Sequence, residues 1–147
     1  MNFLELSQRL HREMRDSGTG MTSVENQRGR YLEMVEAVQE AWTELQGSKA
    51  WDTTFYANKP DITPVTQYSQ YDPQILTKSL DVPYLPEQYH LVIVWKAMIG
   101  PAIRMNAPEL LQKAQLKHDE LMMQLCNRYI GVGFGAQLKP GIESIPK

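Results

Sequence analysis

Apolar residues recur every three or four positions through the first third of the chain, which predicts two amphipathic helices. The stripe of the first helix, over residues 2–16, is Phe3, Leu6, Leu10 and Met14. The stripe of the second is Tyr31, Val35, Val38, Trp42 and Leu45. The glycine-containing segment 17–20 breaks the pattern between them. Thr22 and Glu25 have the spacing of a capping box, so the second helix is expected to run from Val24 to about residue 46.

Two further long helices are predicted in the second half of the chain. One is expected to begin at Pro86, to be the most buried element, and to end or kink at Gly100-Pro101. The other is expected to be capped by Asn106, with Glu109 three residues later. Its apolar face is Leu111, Ala114, Leu121, Leu125 and Tyr129. A short helix from Asp72-Pro73 to about residue 80 precedes both.

Residues 47–83 interrupt the helical pattern and suggest a loose β-hairpin. Thr53–Tyr56 is β-prone, Lys59-Pro60-Asp61 is a turn signal, and Ile62–Tyr68 is expected to return as an edge strand. The region is rich in aromatic residues, namely Trp51, Phe55, Tyr56, Tyr68 and Tyr71. They either cover the core of their own bundle or pack against a neighbouring subunit, where tyrosine and tryptophan are enriched.

The last residues, 131–147, alternate glycine with apolar side chains. This pattern predicts an extended C-terminal arm that follows a helical domain of residues 1–130. The candidate anchors of the arm are Phe134, Leu138, Ile142 and Ile145. Apolar side chains exposed to water favour docking, so the arm either folds back onto its own domain or becomes ordered on a partner.

Length and composition favour one mainly α-helical domain. The chain has 147 residues and a formal net charge of −2, which supplies no overall attraction to nucleic acid or to an anionic membrane. A single cysteine, Cys126, excludes an internal disulfide framework. Charged residues from Glu5 onward interrupt the apolar stretch that a signal peptide would need. The apolar run that begins at Leu91 is too short to span a bilayer.

Candidate catalytic chemistry is sparse. His11, His90 and His118 do not have metal-ligand spacing with one another or with Cys126. The glycine-rich run 131–135 lacks the lysine and hydroxyl residue of a phosphate-binding loop. We therefore expect no catalytic residue, no cofactor and no metal site.

An acidic row is the most distinctive polar feature. It consists of Glu33, Glu36, Glu40 and Glu44. On a helix these positions fall within an arc of about 80°, nearly opposite the apolar stripe. The row is either an ordinary solvated face or the negatively charged wall of a channel past which DNA slides without sticking.

Several segments resemble the head–tail adaptor (connector) proteins of tailed bacteriophages. They are the opening Asn2–Leu6, the turn Ser17–Gly20, the helix start near Thr22, Trp42 in the second helix, Leu85–His90 and Asn106–Leu111. The resemblance implies a helical bundle with a protruding hairpin, assembled as a dodecameric ring beneath the portal. In such a ring the acidic row would line the DNA channel. The residues from Gly131 onward lie outside the resemblance, and we infer from their apolar anchors that they dock on the portal.

The resemblance also implies a structural protein of the virion, assembled in the host cytoplasm at the interface of head and tail. Its partners would be the portal protein, tail or neck proteins, and further copies of itself, with no membrane. Two alternatives remain open from the sequence. One is a small cytoplasmic helical binding or regulatory module, and the other is a tail-completion or stopper protein, a class that is richer in β-structure.

Overall fold

The computed structural model describes residues 1–16, 18–57 and 73–130. In this part of the chain the fold is mainly α-helical, as predicted, and contains no β-strand. Its four long helices are α1 (Phe3–Glu13), α2 (Gly29–Ser48), α3 (Leu91–Arg104) and α4 (Pro108–Tyr129). Two short 3₁₀ helices cover Thr53–Tyr56 and Glu87–Tyr89.

Contacts between the helix ends define an up-and-down bundle. Arg30, at the start of α2, hydrogen-bonds to Asp16 after the end of α1 and to Met105 after the end of α3. Glu13 in α1 accepts a hydrogen bond from Lys113 near the start of α4. Helices α1 and α3 therefore end at the end of the bundle where α2 and α4 begin.

Helix α1 has a complete capping box that the sequence analysis did not identify. The Asn2 side chain accepts a hydrogen bond from the Glu5 amide at 2.8 Å, and the Glu5 carboxylate accepts one from the Asn2 amide at 2.8 Å. Both hydrogen bonds satisfy backbone amides at the start of the helix, which have no partner within it. The helix ends at Glu13, and Arg15 then adopts a left-handed φ of 58°.

Helix α2 begins five residues later than predicted, so the capping box at Thr22 was wrong. The Ser23 hydroxyl, and not Thr22, accepts a hydrogen bond from the Glu25 amide, at 3.0 Å. This short-range bond closes a turn instead of opening a helix. The Val24 amide is held by the Ser79 hydroxyl at 3.1 Å, and Asn26 has a φ of 61°. The helix therefore starts only at Gly29.

The predicted strand at Thr53–Tyr56 was wrong, because these residues form a 3₁₀ helix. The Asp52 carboxylate accepts a hydrogen bond from the Thr54 amide at 3.0 Å and caps its start. An isolated antiparallel bridge between Trp51 and Ile130 places this segment beside the end of α4. The remainder of the predicted hairpin, including Ile62–Tyr68, lies outside the described residues.

The helix predicted from Asp72-Pro73 to residue 80 was also wrong over its described part, residues 73–80, which have no helix. Side chains take the backbone amides that a helix would use. The Gln46 side chain accepts from the Gln74 amide, and the Asp81 carboxylate accepts from the Thr77 and Lys78 amides, each at 2.8 Å. Competition of this kind favours a turn over a helix.

Helix α3 is the buried centre of the bundle, as predicted, but the predicted start at Pro86 was wrong, because Glu87–Tyr89 form a separate 3₁₀ turn and α3 begins only at Leu91. Nor does the helix end at Gly100-Pro101. It continues through Pro101 to Arg104. Asn106 then adopts a φ of 54° and does not cap α4, which begins with Pro108 at its first position. The predicted apolar faces of α1 and α2 lie in the core, except that Tyr31 is only half-buried against it. Phe3, Leu6, Leu10, Val38, Trp42 and Leu45 are all at most 1% exposed.

Candidate functional site

The acidic row of α2 forms one wall of an open groove between α2 and α3. Glu33, Glu36, Glu40 and Glu44 are all exposed and line the groove, which has a volume of about 320 Å³. Its remaining lining consists mainly of small residues, namely Ala37, Ala41, Ala97, Gly100 and Pro101. Since all four carboxylates are exposed, they stay in contact with solvent along the groove.

Helix α3 adds two cations to the groove, Lys96 and Arg104, that the sequence pattern did not associate with the row. Lys96 Nζ lies 3.7 Å from Glu44 Oε1. The Arg104 side chain folds back along α3, so that a Cβ placed on Gly100 would lie 3.6 Å from its Nη1. An exposed pair such as Lys96–Glu44 contributes about 0–1 kcal/mol to stability. The groove keeps an excess of carboxylates, four against two cations.

Among the described residues, only Glu44 of the acidic row forms a salt bridge. The other three carboxylates, Glu33, Glu36 and Glu40, point along the solvent face of a 20-residue helix. Like charges one turn apart on a helix repel each other by a few tenths of a kcal/mol. The folded chain therefore maintains a line of four carboxylates that the two cations of the groove offset only in part.

The described aromatic candidates lie inside the chain's own core. Trp51, Phe55 and Tyr56 are 8%, 0% and 3% exposed. Phe55 stacks on Trp51 at 4.3 Å between ring centroids and on Trp42 at 5.9 Å. The sequence left open whether these rings cover their own bundle or contact a neighbouring subunit. The three described rings cover their own bundle. Tyr68 and Tyr71 lie outside the described residues.

The C-terminal anchors Phe134, Leu138, Ile142 and Ile145 also lie outside the described residues. The described chain ends at Ile130, which pairs with Trp51 in the antiparallel bridge. The Asp52 amide donates to the Tyr129 carbonyl at 2.8 Å in the same place. The described chain therefore ends beside the aromatic cluster, at the end of the bundle opposite to the start of α2.

The three histidines stand apart from one another. His90 is buried, and its Nε2–H donates to the Leu85 carbonyl at 2.7 Å while Nδ1 accepts from the Met1 ammonium at 2.8 Å. Burial lowers the pKa of His90 below its ordinary value. His118 contacts Asp119 at 3.2 Å, and His11 packs edge-on against Tyr31. The described residues contain no group of three or more side chains arranged to hold a metal ion.

A second charged feature, which sequence spacing did not identify, lies where α1 ends and α2 begins. His11, Asp16, Arg28, Arg30 and Tyr31 line a cleft of about 410 Å³. In the loop between these two segments, Ser23 and Val24 hydrogen-bond to the distant Ser79 hydroxyl. Residues 11–16 and residues 28–31 are therefore brought together only in the folded chain. The bundle thus presents an acidic groove along α2 and an arginine-containing cleft at the start of α2.

Comparison with known proteins finds no matching family model, no matching curated protein and no matching solved structure. None of the helices in the described ranges combines the length and the apolar character needed to cross a bilayer.

Proposed function

We propose that this chain is a head–tail adaptor of a tailed bacteriophage, a structural virion protein that forms a ring beneath the portal and extends the DNA channel. The observation that carries the proposal is the exposed acidic row along α2, from Glu33 to Glu44. The helical bundle and the resemblance of Asn2–Leu6, Leu85–His90 and Asn106–Leu111 to adaptor segments support it. No catalysis is needed for this role.

Electrostatics explains how such a row would serve a channel. Four carboxylates repeated around a closed ring would present bands of negative charge to the phosphates of passing DNA. Repulsion acts over about 8 Å at physiological ionic strength, so it would keep the duplex centred without binding it. Binding along the wall would slow translocation, whereas a repulsive wall leaves the duplex free to slide.

Assembly into a ring requires that each subunit contact its neighbour through two different surfaces. The rigid core of the bundle suits such a role, because Trp42, Trp51 and Phe55 fix the 3₁₀ segment against α2 and α4. Tyr68 and Tyr71 remain candidates for subunit contacts, and Phe134, Leu138, Ile142 and Ile145 remain candidates for docking on the portal. We propose that the C-terminal arm, residues 131–147, makes this docking contact.

Purification of the tagged chain from its native, particle-producing culture tests the proposal, with electron microscopy of the captured material. Rings bound to portal assemblies or to filled heads are expected. Capture of a single host protein by a monomeric chain, with no particles, would contradict the adaptor role and favour a helical binding module. A chain that co-purifies with finished tails and lacks head contacts would favour a tail-completion protein.

A further inference from the structure

Arginines are concentrated at the end of the bundle where α1 ends and α2 begins. Four of them are exposed there, namely Arg12, Arg15, Arg28 and Arg30. Three acids accompany them: Asp16 lines the cleft, Glu33 lies one turn further along α2, and Glu13 is engaged by Arg9 and Lys113. The chain as a whole has a net charge of −2, so this positive excess is a local property of one surface.

The hydrogen bonds of the cleft leave guanidinium groups available. Arg30 Nη2 contacts both oxygens of Asp16, at 2.7 and 2.8 Å, while its side chain remains 51% exposed. The Arg28 guanidinium forms no hydrogen bond or salt bridge with a described residue. The Tyr31 hydroxyl accepts from the Gly20 amide at 3.2 Å and still has its own proton to donate. Donors at this cleft therefore outnumber acceptors.

We propose that this cleft, in which Arg28, Arg30 and Tyr31 supply hydrogen-bond donors beside His11 and Asp16, binds a phosphate group. A guanidinium presents parallel N–H donors that match two oxygens of one oxyanion. A phosphate has three strong acceptor oxygens and more charge than a carboxylate, which suits two arginines and a hydroxyl. The volume of about 410 Å³ accommodates a phosphate together with part of the molecule that carries it. This site does not depend on the adaptor role.

Two sources of phosphate are distinguishable, namely the backbone of DNA and a free phosphate group. Amide chemical shifts of the full chain are recorded during titration with inorganic phosphate and, separately, with a short DNA duplex, both at matched ionic strength. Shifts centred on Asp16 and on residues 28–31 are expected. Tighter binding of the duplex would assign the site to backbone phosphate, and equal or weaker binding of the duplex would assign it to a free phosphate group.

Arg28→Gln is the decisive variant, because the Arg28 side chain is exposed and has no partner among the described residues, so its loss is expected to leave the fold intact. We expect binding of the better probe to weaken about tenfold, the effect of losing one charge-assisted hydrogen bond. Arg128→Gln, at the far end of α4, removes the same charge and is expected to leave binding unchanged. Equal binding by Arg28→Gln and the unchanged chain, or no shift with either probe, would overturn the proposal. Neither result bears on incorporation of the chain into particles.

Discussion

Glu13 Oε1 accepts a 2.9 Å hydrogen bond from Lys113 Nζ, which joins the last turn of α1 to the second turn of α4. Arg9 donates to the other oxygen at 2.8 Å. Both cations also lie over the ring of Trp95 in α3, at 5.9 Å for Arg9 and 5.6 Å for Lys113. One carboxylate thus organises contacts among three helices.

Replacement of Glu13 by Gln is expected to lower the free energy of unfolding by about 1 kcal/mol at pH 7, because two charge-assisted hydrogen bonds are weakened. Burial raises the pKa of Glu13, but the bonds from Lys113 and Arg9 outweigh burial and bring the pKa below the ordinary value of 4.5. The contribution is therefore present above pH 4.5 and is lost as the pH falls through the lower folded-state pKa. Urea unfolding at pH 7 and pH 3 measures it.

Glu120→Gln is the matched control for this variant, since Glu120 is exposed on the same side of α4 and forms no salt bridge with a described residue. It is expected to change stability by less than about 0.5 kcal/mol. A Glu13→Gln chain as stable as the control at pH 7 would show that the ion pair contributes nothing.

His90 is expected to make the fold sensitive to mild acid. Burial disfavours its charged form and lowers its pKa in the folded chain below the ordinary value of 6.5. The unfolded chain therefore binds a proton first, and stability falls as the pH drops below 6.5, by up to about 1.4 kcal/mol per pH unit, until the folded-state pKa is reached. Thermal or urea unfolding between pH 7.5 and pH 5 measures this slope.

His90→Gln is expected to flatten that slope, because glutamine does not titrate. His118→Gln provides the comparison, since His118 lies near the surface of α4 beside Asp119. Identical pH dependence for the unchanged chain and the His90→Gln chain would contradict the assignment to His90.

Charge reversal tests the acidic row. A chain with both Glu36→Lys and Glu40→Lys is expected to fold normally, because both side chains are exposed. If the row lines a DNA channel, attraction to phosphate replaces repulsion, and we expect infectious titre to fall on the order of tenfold or more. Plaque assays and DNA-ejection rates measure the effect.

A chain with Asp119→Lys and Glu120→Lys makes the same change of charge on the exposed face of α4. It is expected to retain normal titre. Equal titres for both double variants and the unchanged chain would remove the channel role from the proposal.

Deletion of residues 132–147 tests the docking arm. The shortened chain keeps all of α4 and the bridge between Trp51 and Ile130, so its melting temperature is expected to change by less than about 2 °C. Its incorporation into particles is expected to be lost, which gradient-purified particles and immunoblotting would show. A chain with Lys139→Ala, which keeps all four apolar anchors, is expected to be incorporated normally, and incorporation of the shortened chain would eliminate the arm as the portal contact.

Local sequence patterns were sufficient to predict which side of a helix packs against the core. The stripes of α1 and α2 are buried because residues three and four apart lie on one side of a helix. The same reasoning failed at residues 22–28, where Ser23 competes with Thr22 as a hydrogen-bond acceptor. It also failed at residues 73–80. There the Gln46 side chain, which is distant in sequence, and the Asp81 carboxylate, which lies just after the segment, accept hydrogen bonds from the backbone amides.

One charged surface could be predicted from the sequence, whereas others form only when the chain folds. The acidic row follows from helical spacing alone, because all four glutamates belong to one helix. Lys96 and Arg104 join its groove, and Arg28 and Arg30 meet Asp16, only after the chain has folded. Net charge averages over such surfaces, which is why a value of −2 gave no sign of an arginine-containing cleft.

By itself, the sequence determined the four long helices of the described chain and the continuous acidic face on the second of them, since both depend on interactions within a few residues. The tertiary structure alone decided that Trp51 and Phe55 are core residues, that Glu13 joins three helices, and that arginines gather at one end. Those outcomes depend on which elements pack together, and packing is set by contacts between residues far apart in the chain.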